Sequence, residues 1–272
     1  MQNLSRSILL LAALAMSAAT AFGQAASSTP KPTPSPTPVQ LGKLDVKNLN
    51  IDQVAMFTVA YYSGFAGPDR LNQVRKTAIE RGTTIITAAD GKTQRVPYQR
   101  FVIRGENSAK ERVRLDQEFP SARYSLISSD NKIFGLFNNT VFTPTDEAAR
   151  SFEYLIAHSI DALLRYKENG STLAFGPREK IMGVDYYVVD LTDKQARKTR
   201  YYVSAKSFRV MMLSYEEGGV KYKRKFYDYN YAQGTLVPYR SVLWADDKQT
   251  EETEVGTITY GQKVDESLFN AS

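Results

Sequence analysis

Most of the chain consists of short segments in which apolar and polar residues alternate, and this pattern constrains the fold more than any other feature. The segments span residues 78–89, 95–104, 111–118, 122–127, 132–137, 172–175, 179–182, 185–191, 199–205, 209–215, 220–229, 236–245 and 251–260. Turn residues separate them, among them Asp90-Gly91, Glu217-Gly218-Gly219 and Asp246-Asp247. A period of two predicts strands, and hairpin spacing predicts antiparallel pairing of consecutive strands. We therefore expect a mainly β, α+β protein in which an antiparallel sheet bends into an incomplete β-barrel.

Two regions with apolar residues at helical spacing would have to cover this sheet. Residues 146–167 are predicted to form one amphipathic helix, because Thr143-Pro144-Thr145-Asp146 supplies a capping residue, a proline for the first helical position and an acid for the first turn, and Asn169-Gly170 ends it. Residues 51–65 predict a second helix. Gly67-Pro68-Asp69 breaks that helix, and one more turn can follow at 71–74.

The first 40 residues differ in composition from the rest of the chain. Residues 1–23 combine a basic end, a short apolar run and small residues, which is the pattern of a secretory signal peptide. Three cleavage positions fit this pattern: after Ala21, Gly23 or Ala25. Residues 24–40 form a leader rich in Pro, Thr and Ser, which favours a disordered, extended spacer. We expect an exported, periplasmic protein with one folded domain at 41–272.

The composition excludes several classes of enzyme. The chain has no Cys and one His, so disulfides, thiol nucleophiles, iron–sulfur clusters and multi-histidine metal sites are excluded. The one imidazole, His158, lies inside a predicted helix and has no Gly-x-Ser-x-Gly nucleophile motif to serve. Among 29 acidic residues, carboxylate pairs arise by chance, and no phosphate loop or dinucleotide motif occurs. We expect no enzymatic activity, no metal and no cofactor.

Basic residues outnumber acidic ones, giving a formal net charge of +6. Lys221, Lys223 and Lys225 alternate along one predicted strand and so share one of its faces. This arrangement is typical of a solvated strand face, and it also suits anionic lipid headgroups. Nucleic acid is not an expected partner, because the protein carries an export signal.

The supply of aromatic residues, 17 Tyr and 13 Phe, leaves two interpretations open. On a closed barrel these side chains would fill the core. On an incompletely closed sheet of about a dozen strands they would line a concave cavity that is able to bind an acyl chain. The candidate cavity residues are Tyr124, Phe134, Tyr186, Tyr201, Met212, Tyr222 and Phe226.

One stretch resembles the signature region of LolA-like lipoprotein carriers. It comprises Phe101-Val102-Ile103-Arg104, Glu111-Arg112-Val113-Arg114-Leu115, Pro120, and residues 126–134 with their Ser129-Asp130-Asn131-Lys132 turn. Weaker matches follow in the same order, at the helix after Thr145, at Gly183, at 233–238 and at 264–269. In order and spacing the resemblance covers nearly all of the domain. It differs after Arg104, where the family has Pro and this chain has Gly105.

The resemblance implies a LolA-like half-barrel with a helical lid over an apolar cavity that accepts lipoprotein acyl chains. It also implies that Arg104, as the arginine ending the early strand, contacts the lid and helps to hold it closed. The implied partners are a lipidated protein or another amphiphilic ligand, together with inner- and outer-membrane transport partners. The first hypothesis is therefore a periplasmic carrier working toward the outer membrane. The alternative is an envelope sensor or regulator of the same fold that binds a membrane-protein segment.

Overall fold

The computed structural model describes residues 48–270, so the predicted signal peptide (1–23) and leader (24–40) lie outside the described residues. The helices of this part are α1 (Ile51–Tyr62), α2 (Gly67–Val74), α3 (Asp146–Ala157) and α4 (Ile160–Leu164), with 3₁₀ turns at Ser108–Lys110 and Glu266–Phe269. The strands are β1 (Thr77–Thr87), β2 (Thr93–Ile103), β3 (Arg112–Phe119), β4 (Ala122–Ser129), β5 (Lys132–Phe137), β6 (Thr140–Phe142), β7 (Thr172–Phe175), β8 (Glu179–Ile181), β9 (Val184–Thr192), β10 (Lys198–Ser204), β11 (Val210–Glu217), β12 (Val220–Ala232), β13 (Thr235–Ala245) and β14 (Lys248–Tyr260).

All these strands belong to one antiparallel sheet. Its order is β6-β5-β4-β3-β2-β1-β14-β13-β12-β11-β10-β9-β7, and β8 pairs with the start of β9 beside β7. The sheet is 14-stranded and does not close on itself, with 52% strand against 20% helix. The predicted mainly β fold with an incomplete antiparallel barrel and a few covering helices is thus confirmed.

The pairing of β1 with β14 joins the first six strands to the last eight, and it contains a β-bulge at Arg81/Gly82. A Cβ atom on Gly82 would lie 2.2 Å from the carbonyl oxygen of Glu254. No side chain can be accommodated at that distance, so the close approach of the two strands requires glycine here. Such a bulge bends the strand, which helps the sheet to curve where its two parts meet.

The single helix predicted at 146–167 is wrong, because the structure has two helices there. α3 ends at Ala157 with His158 as its C-terminal cap, and α4 begins after Ser159. The Ser159 hydroxyl accepts a hydrogen bond from the backbone N–H of Ala162 at 3.2 Å, which starts a new helix with only His158 and Ser159 between the two. The apolar stripe is continuous in sequence, but the two helices present it to different parts of the sheet.

The N-terminal helical region also differs from the prediction in detail. Gly67-Pro68 does separate two helices, but it also starts the second, because proline fits the first turn of a helix and α2 runs from Gly67 to Val74. The short strand β6 was not predicted. It forms a hairpin with β5 through Asn138 and Asn139, both with positive φ.

The buried side chains form separate clusters on the two faces of the sheet. The largest cluster lies under α1 and α4 against β9–β13, and we call it the aromatic core; its members include Tyr62, Tyr187, Tyr201, Phe208 and Leu213. A smaller one joins Phe152 of α3 to Val113 and Leu126. On the opposite face, Val264 and Phe269 of the C-terminal segment cover Ile127. The concave face between the first two clusters is where the cavity lies.

Candidate ligand-binding cavity

A cavity of about 230 Å³ lies between the concave face of the sheet and α3 and α4, which we call the helical cover. Apolar side chains from the sheet and the cover line part of it: Val102, Leu115, Leu155, Ile156, Phe226 and Ile258. Charged side chains line the rest: Arg75, Glu80, Arg100, Arg104, Glu111, Asp161, Arg224 and Glu251. The cavity is therefore amphipathic, with an apolar part and a buried ionic part.

Two arginines converge on one carboxylate of the cover. Arg75 Nη1 lies 2.8 Å from Asp161 Oδ1, and Arg104 Nη2 lies 2.5 Å from Asp161 Oδ2. Arg75 caps the C-terminus of α2 and Arg104 follows β2, so well-ordered elements position both guanidinium groups. Arg75 is held further by a 2.7 Å hydrogen bond that its Nη2 donates to the Leu236 carbonyl. Both arginine side chains are only 6% exposed, whereas that of Asp161 is 39% exposed.

A second ion pair holds the other end of α4. Arg165, the C-terminal cap of α4, donates to Glu111 Oε2 at 3.0 Å and to the carbonyl of Gly105 at 2.7 Å. The loop that follows Arg104 is thus bound to the cover. We call Arg75, Arg100, Arg104 and Arg165, with Glu80, Glu111 and Asp161, the charged network.

Two carboxylates of the charged network, Asp161 and Glu111, have shifted pKa values. Burial alone would raise the pKa of Asp161, but Arg104 and Arg75 outweigh it and hold the pKa well below its usual range. Burial raises the pKa of Glu111, and the nearby arginines only partly oppose it. Asp161 is therefore ionised throughout the physiological range and pairs with both arginines.

The third part of the network lies on the sheet itself. Glu80 accepts hydrogen bonds from the Tyr98 hydroxyl and from Arg100 Nη2, each at 2.8 Å. Burial and the neighbouring Glu80 carboxylate raise the pKa of Tyr98 far above its usual value, so its hydroxyl stays protonated as a donor. These side chains project from neighbouring strands β1 and β2, because Glu80 is the register partner of Arg100.

His158 marks the junction between the two helices of the cover. Its ring stacks on Tyr215 with centroids 3.8 Å apart, Nδ1 lies 2.7 Å from Thr199 Oγ1, and Nε2 lies 3.3 Å from Glu217 Oε1. Burial, and secondarily Arg197, lower its pKa to about 4, so it is neutral at pH 7. This environment is that of a packed structural histidine.

The structure brings two of the eight predicted site residues to the cavity. Arg104 lines it and pairs with Asp161 of the cover, and Phe226 lines it from β12. Tyr201 lies below the cover, in the aromatic core, and its hydroxyl donates a 2.8 Å hydrogen bond to the Ser159 carbonyl.

The other five predicted residues lie away from the cavity lining. Tyr124 packs beside Phe142 near the α3 cluster, and Tyr222 stacks on Tyr215. Phe134 packs under the C-terminal segment. Tyr186 and Met212 project from the outer face, where Tyr186 meets Tyr202 edge to face and Met212 alternates with the buried Leu213.

Sequence reasoning did not select Arg75, Arg100, Asp161 or Arg165, although part of the signal was present. One face of the strand predicted at 95–104 carries Tyr98, Arg100, Val102 and Arg104, since these residues alternate along it. The sequence therefore indicates a face that is both basic and apolar. Asp161 stands within the apolar stripe of the predicted helix, where an acid facing the sheet needs a partner. Neither pattern identifies that partner, because the elements that meet are far apart in the chain.

The charged side chains at the cavity are suited to binding anions. Among residues 48–270, no group of three or more His, Asp or Glu side chains is placed to hold a metal ion. None of the helices in this part of the chain is long and apolar enough to cross a membrane. The buried arginines are ion-paired guanidinium donors, and a guanidinium group suits the binding and orientation of an anion better than the transfer of a proton.

Comparison with solved structures identifies the fold. A DUF1329 family protein from Desulfovibrio piger superposes with a TM-score of 0.58 at 11% identity, covering 81% of this chain and 97% of that one. An outer membrane lipoprotein-sorting protein domain from Vibrio parahaemolyticus gives 0.56 at 12% identity, with coverage of 81% and 97%. A LolA superfamily protein from Nitrosomonas europaea gives 0.57 at 10% identity, with coverage of 82% and 98%.

No protein-family profile matches the sequence, and no curated protein matches it significantly. The likeness to the three solved structures is therefore one of fold. The chain has the LolA-like fold, as the residue pattern from 101 to 134 predicted.

Proposed function

We propose that this chain, which has the LolA-like fold, is a non-enzymatic periplasmic carrier that binds the acyl chain of a lipoprotein or a similar amphiphile beneath the helical cover. The observation that carries this proposal is the cavity of about 230 Å³ with an apolar lining shared by the sheet and by α3. Export through a signal peptide at 1–23, and delivery toward the outer membrane, belong to the same proposal.

The cavity as described is smaller than the roughly 300–1,000 Å³ typical of pockets for drug-sized ligands. A long acyl chain would therefore require part of the cover to move. α4 is the fixed part, since Leu163 and Leu164 are buried in the aromatic core and ion pairs hold Asp161 and Arg165. α3 is the movable part, since Phe152 is its one buried side chain and the helix is interrupted at His158 and Ser159.

Binding would be driven by burial of the chain. Each methylene removed from water contributes about 0.8 kcal/mol, so ten methylenes contribute about 8 kcal/mol before the cost of moving α3 is subtracted. Release would need a partner whose site holds the chain better, because a ligand moves only down a difference in binding free energy.

The test is whether the exported protein carries lipid and binds an acyl chain in this cavity. Full-length protein would be expressed with its signal, purified gently from the periplasm, and examined by native mass spectrometry and by displacement of a fluorescent fatty-acid probe. We expect lipid-bearing mass species, and probe binding that weakens at least about tenfold in Leu115→Trp, which fills the cavity. Val141→Trp, on the exposed edge strand β6, is the matched control and should bind as the wild type does.

Protein that carries no extractable lipid and does not bind the probe would overturn the proposal. Equal binding by the Leu115→Trp and wild-type proteins would place the acyl chain elsewhere and would also count against it. Purification of one protein partner in constant proportion, without lipid, would instead support the alternative role as an envelope sensor.

A further inference from the structure

The charged network carries more positive than negative charge. Four guanidinium groups (Arg75, Arg100, Arg104 and Arg165) pair with three carboxylates (Glu80, Glu111 and Asp161), and two of them share Asp161, so the network has a net charge of +1. Excess charge in a buried site is costly, so the site favours one additional anion.

Several arginine donors at this site are also unsatisfied. Arg75 Nε, Arg100 Nε and Arg104 Nη1 are buried and find no acceptor among the residues that the structure describes. A buried donor without an acceptor costs free energy, and most native proteins avoid it. Here three such donors belong to arginines that line one cavity, which points to an acceptor supplied by a ligand.

Asp161 occupies the position that such an acceptor would take. Its two carboxylate oxygens receive one guanidinium each, the arrangement in which arginines hold a carboxylate or a phosphate. Its side chain is 39% exposed, so it can rotate toward solvent while Leu163 and Leu164 keep α4 in place. The arginines, at 6% exposure, would remain where they are.

The apolar lining begins directly beside this group. Val102 lies on β2 between Arg100 and Arg104, and Ile160 precedes Asp161 on α4; both line the cavity. An oxyanion at the arginines would therefore continue into an apolar chain. This is the chemistry of an anionic single-chain amphiphile.

We propose that Arg75 and Arg104, assisted by Arg100, form a subsite for the carboxylate or phosphate headgroup of the bound amphiphile, and that Asp161 fills this subsite when no ligand is present. This inference rests on the proposed carrier function and specifies its ligand class. Displacement of Asp161 gives the cavity a preference for anionic headgroups in addition to its affinity for the acyl chain.

The test compares ligands with the same chain and different headgroups. Dodecyl phosphate, dodecanoate and dodecanol would each displace the fluorescent fatty-acid probe from the full-length protein, with inorganic phosphate as a chain-free competitor. We expect the two anionic amphiphiles to compete at a concentration at least about tenfold lower than dodecanol does, as expected for two charge-assisted hydrogen bonds. Inorganic phosphate alone should compete weakly, since it lacks the chain.

Variants separate the subsite from general charge effects. Arg104→Gln should reduce the preference for anionic headgroups to about twofold or less. Arg200→Gln is the matched control, because Arg200 forms an ion pair with Asp190 on the outer face and should keep the full preference. Asp161→Asn should increase the preference, since the resident carboxylate no longer competes, and this readout holds even where Arg104→Gln fails to fold.

The outcomes distinguish this inference from the proposed function. Equal competition by all three dodecyl ligands, or an unchanged preference in Asp161→Asn, would overturn the headgroup subsite and leave the carrier function standing. Displacement by inorganic phosphate as strong as by dodecyl phosphate would assign the arginines to a free anion and overturn the headgroup assignment. Failure of every dodecyl ligand to displace the probe would count against the carrier function itself.

Discussion

Two regions on the same concave face of the sheet are built in opposite ways. The aromatic core under α1 is filled by Tyr62, Tyr187, Tyr201 and Phe208, all nearly inaccessible to solvent. The cavity under α3 is lined by ion-paired side chains and keeps empty volume. The first region is stabilised by burial and close packing of apolar side chains. In the second region, ion pairs take the place of part of that packing. The comparison separates the part of the sheet that carries stability from the part that is able to accept a ligand.

α4 belongs to both regions and explains how they coexist. This short helix buries Leu163 and Leu164 in the aromatic core, Ile160 contacts both the core and the cavity, and Asp161 lines the cavity. The core therefore holds α4 independently of the Asp161 ion pairs, which is what the proposed exchange of Asp161 for a headgroup requires. A closed, fully packed barrel would not offer this division.

The largest expected effect comes from truncating one leucine to alanine in each region. Leu213→Ala in the aromatic core removes a side chain with no exposed surface and should cost about 3–4 kcal/mol of unfolding free energy. Leu115→Ala beside the cavity should cost about 1–2 kcal/mol, because fewer atoms pack against it and the space around it is already partly empty. Urea unfolding of both variants measures the difference, and equal losses would contradict the division into two regions.

The strand pattern was predictable because it is local, whereas the site depended on contacts between distant elements. Alternation and turn residues such as Asp130-Asn131 and Asp246-Asp247, all with positive φ, predict the hairpins. The pairing of β1 with β14 joins residues that are far apart in the chain, such as Ala78 with Tyr260 and Ile86 with Glu251, and leaves no local signal. The break between α3 and α4 at Ser159 was not predicted, because the apolar residues on both sides of Ser159 continue the helical spacing and a serine is also found inside helices.

The site was predictable in part for a related reason. Alternation indicates which residues of one strand share a face, but it does not show which face of the sheet is concave or which helix covers it. Tyr201 lies under α1 and α4, in packed core, and Phe226 reaches the cavity. The arginines and Asp161 meet only in the folded chain, since residues 75, 104 and 161 come from three separate elements.

At the boundary of the two regions, His158 should make stability depend on pH. Its pKa is lowered from 6.5 to about 4 in the folded protein, so between these values the unfolded chain binds a proton that the folded chain does not. Stability should therefore fall as pH decreases from about 6.5 to 4, by up to about 3 kcal/mol at roughly 1.4 kcal/mol per pKa unit. Below pH 4 this contribution is constant.

Urea unfolding between pH 4 and pH 7.5 checks this dependence. His158→Gln is the matched control, because glutamine can keep a hydrogen bond to Thr199 but does not titrate. The variant should be less stable at pH 7 and should lose most of the pH dependence in this window. A parallel decline in both proteins would assign the dependence to other groups.

Within the cavity, Asp161→Asn should cost about 2 kcal/mol. Removing one partner of a fully buried ion pair costs about 3–5 kcal/mol, but the Asp161 side chain is 39% exposed and water compensates for part of the loss. The same substitution at Asp190, in an outer-face pair with Arg200, should cost less than about 1 kcal/mol. Unfolding at pH 7 compares the two, and a larger loss at Asp190 would contradict the distinction between cavity and surface pairs.

The smallest effect is expected for an ion pair that belongs to neither region. Arg95 Nη2 lies 2.7 Å from Glu254 Oε2, a shorter distance than that between Arg75 and Asp161, but the two side chains are 61% and 44% exposed. Water already solvates both groups, so Arg95→Ala should change the unfolding free energy by no more than about 0.5 kcal/mol, and salt should reduce even that. Urea unfolding at low and high salt provides the measurement. A loss comparable to that of Asp161→Asn would show that distance, not burial, sets the strength of these pairs, and the contrast between the cavity and the rest of the sheet would then need another cause.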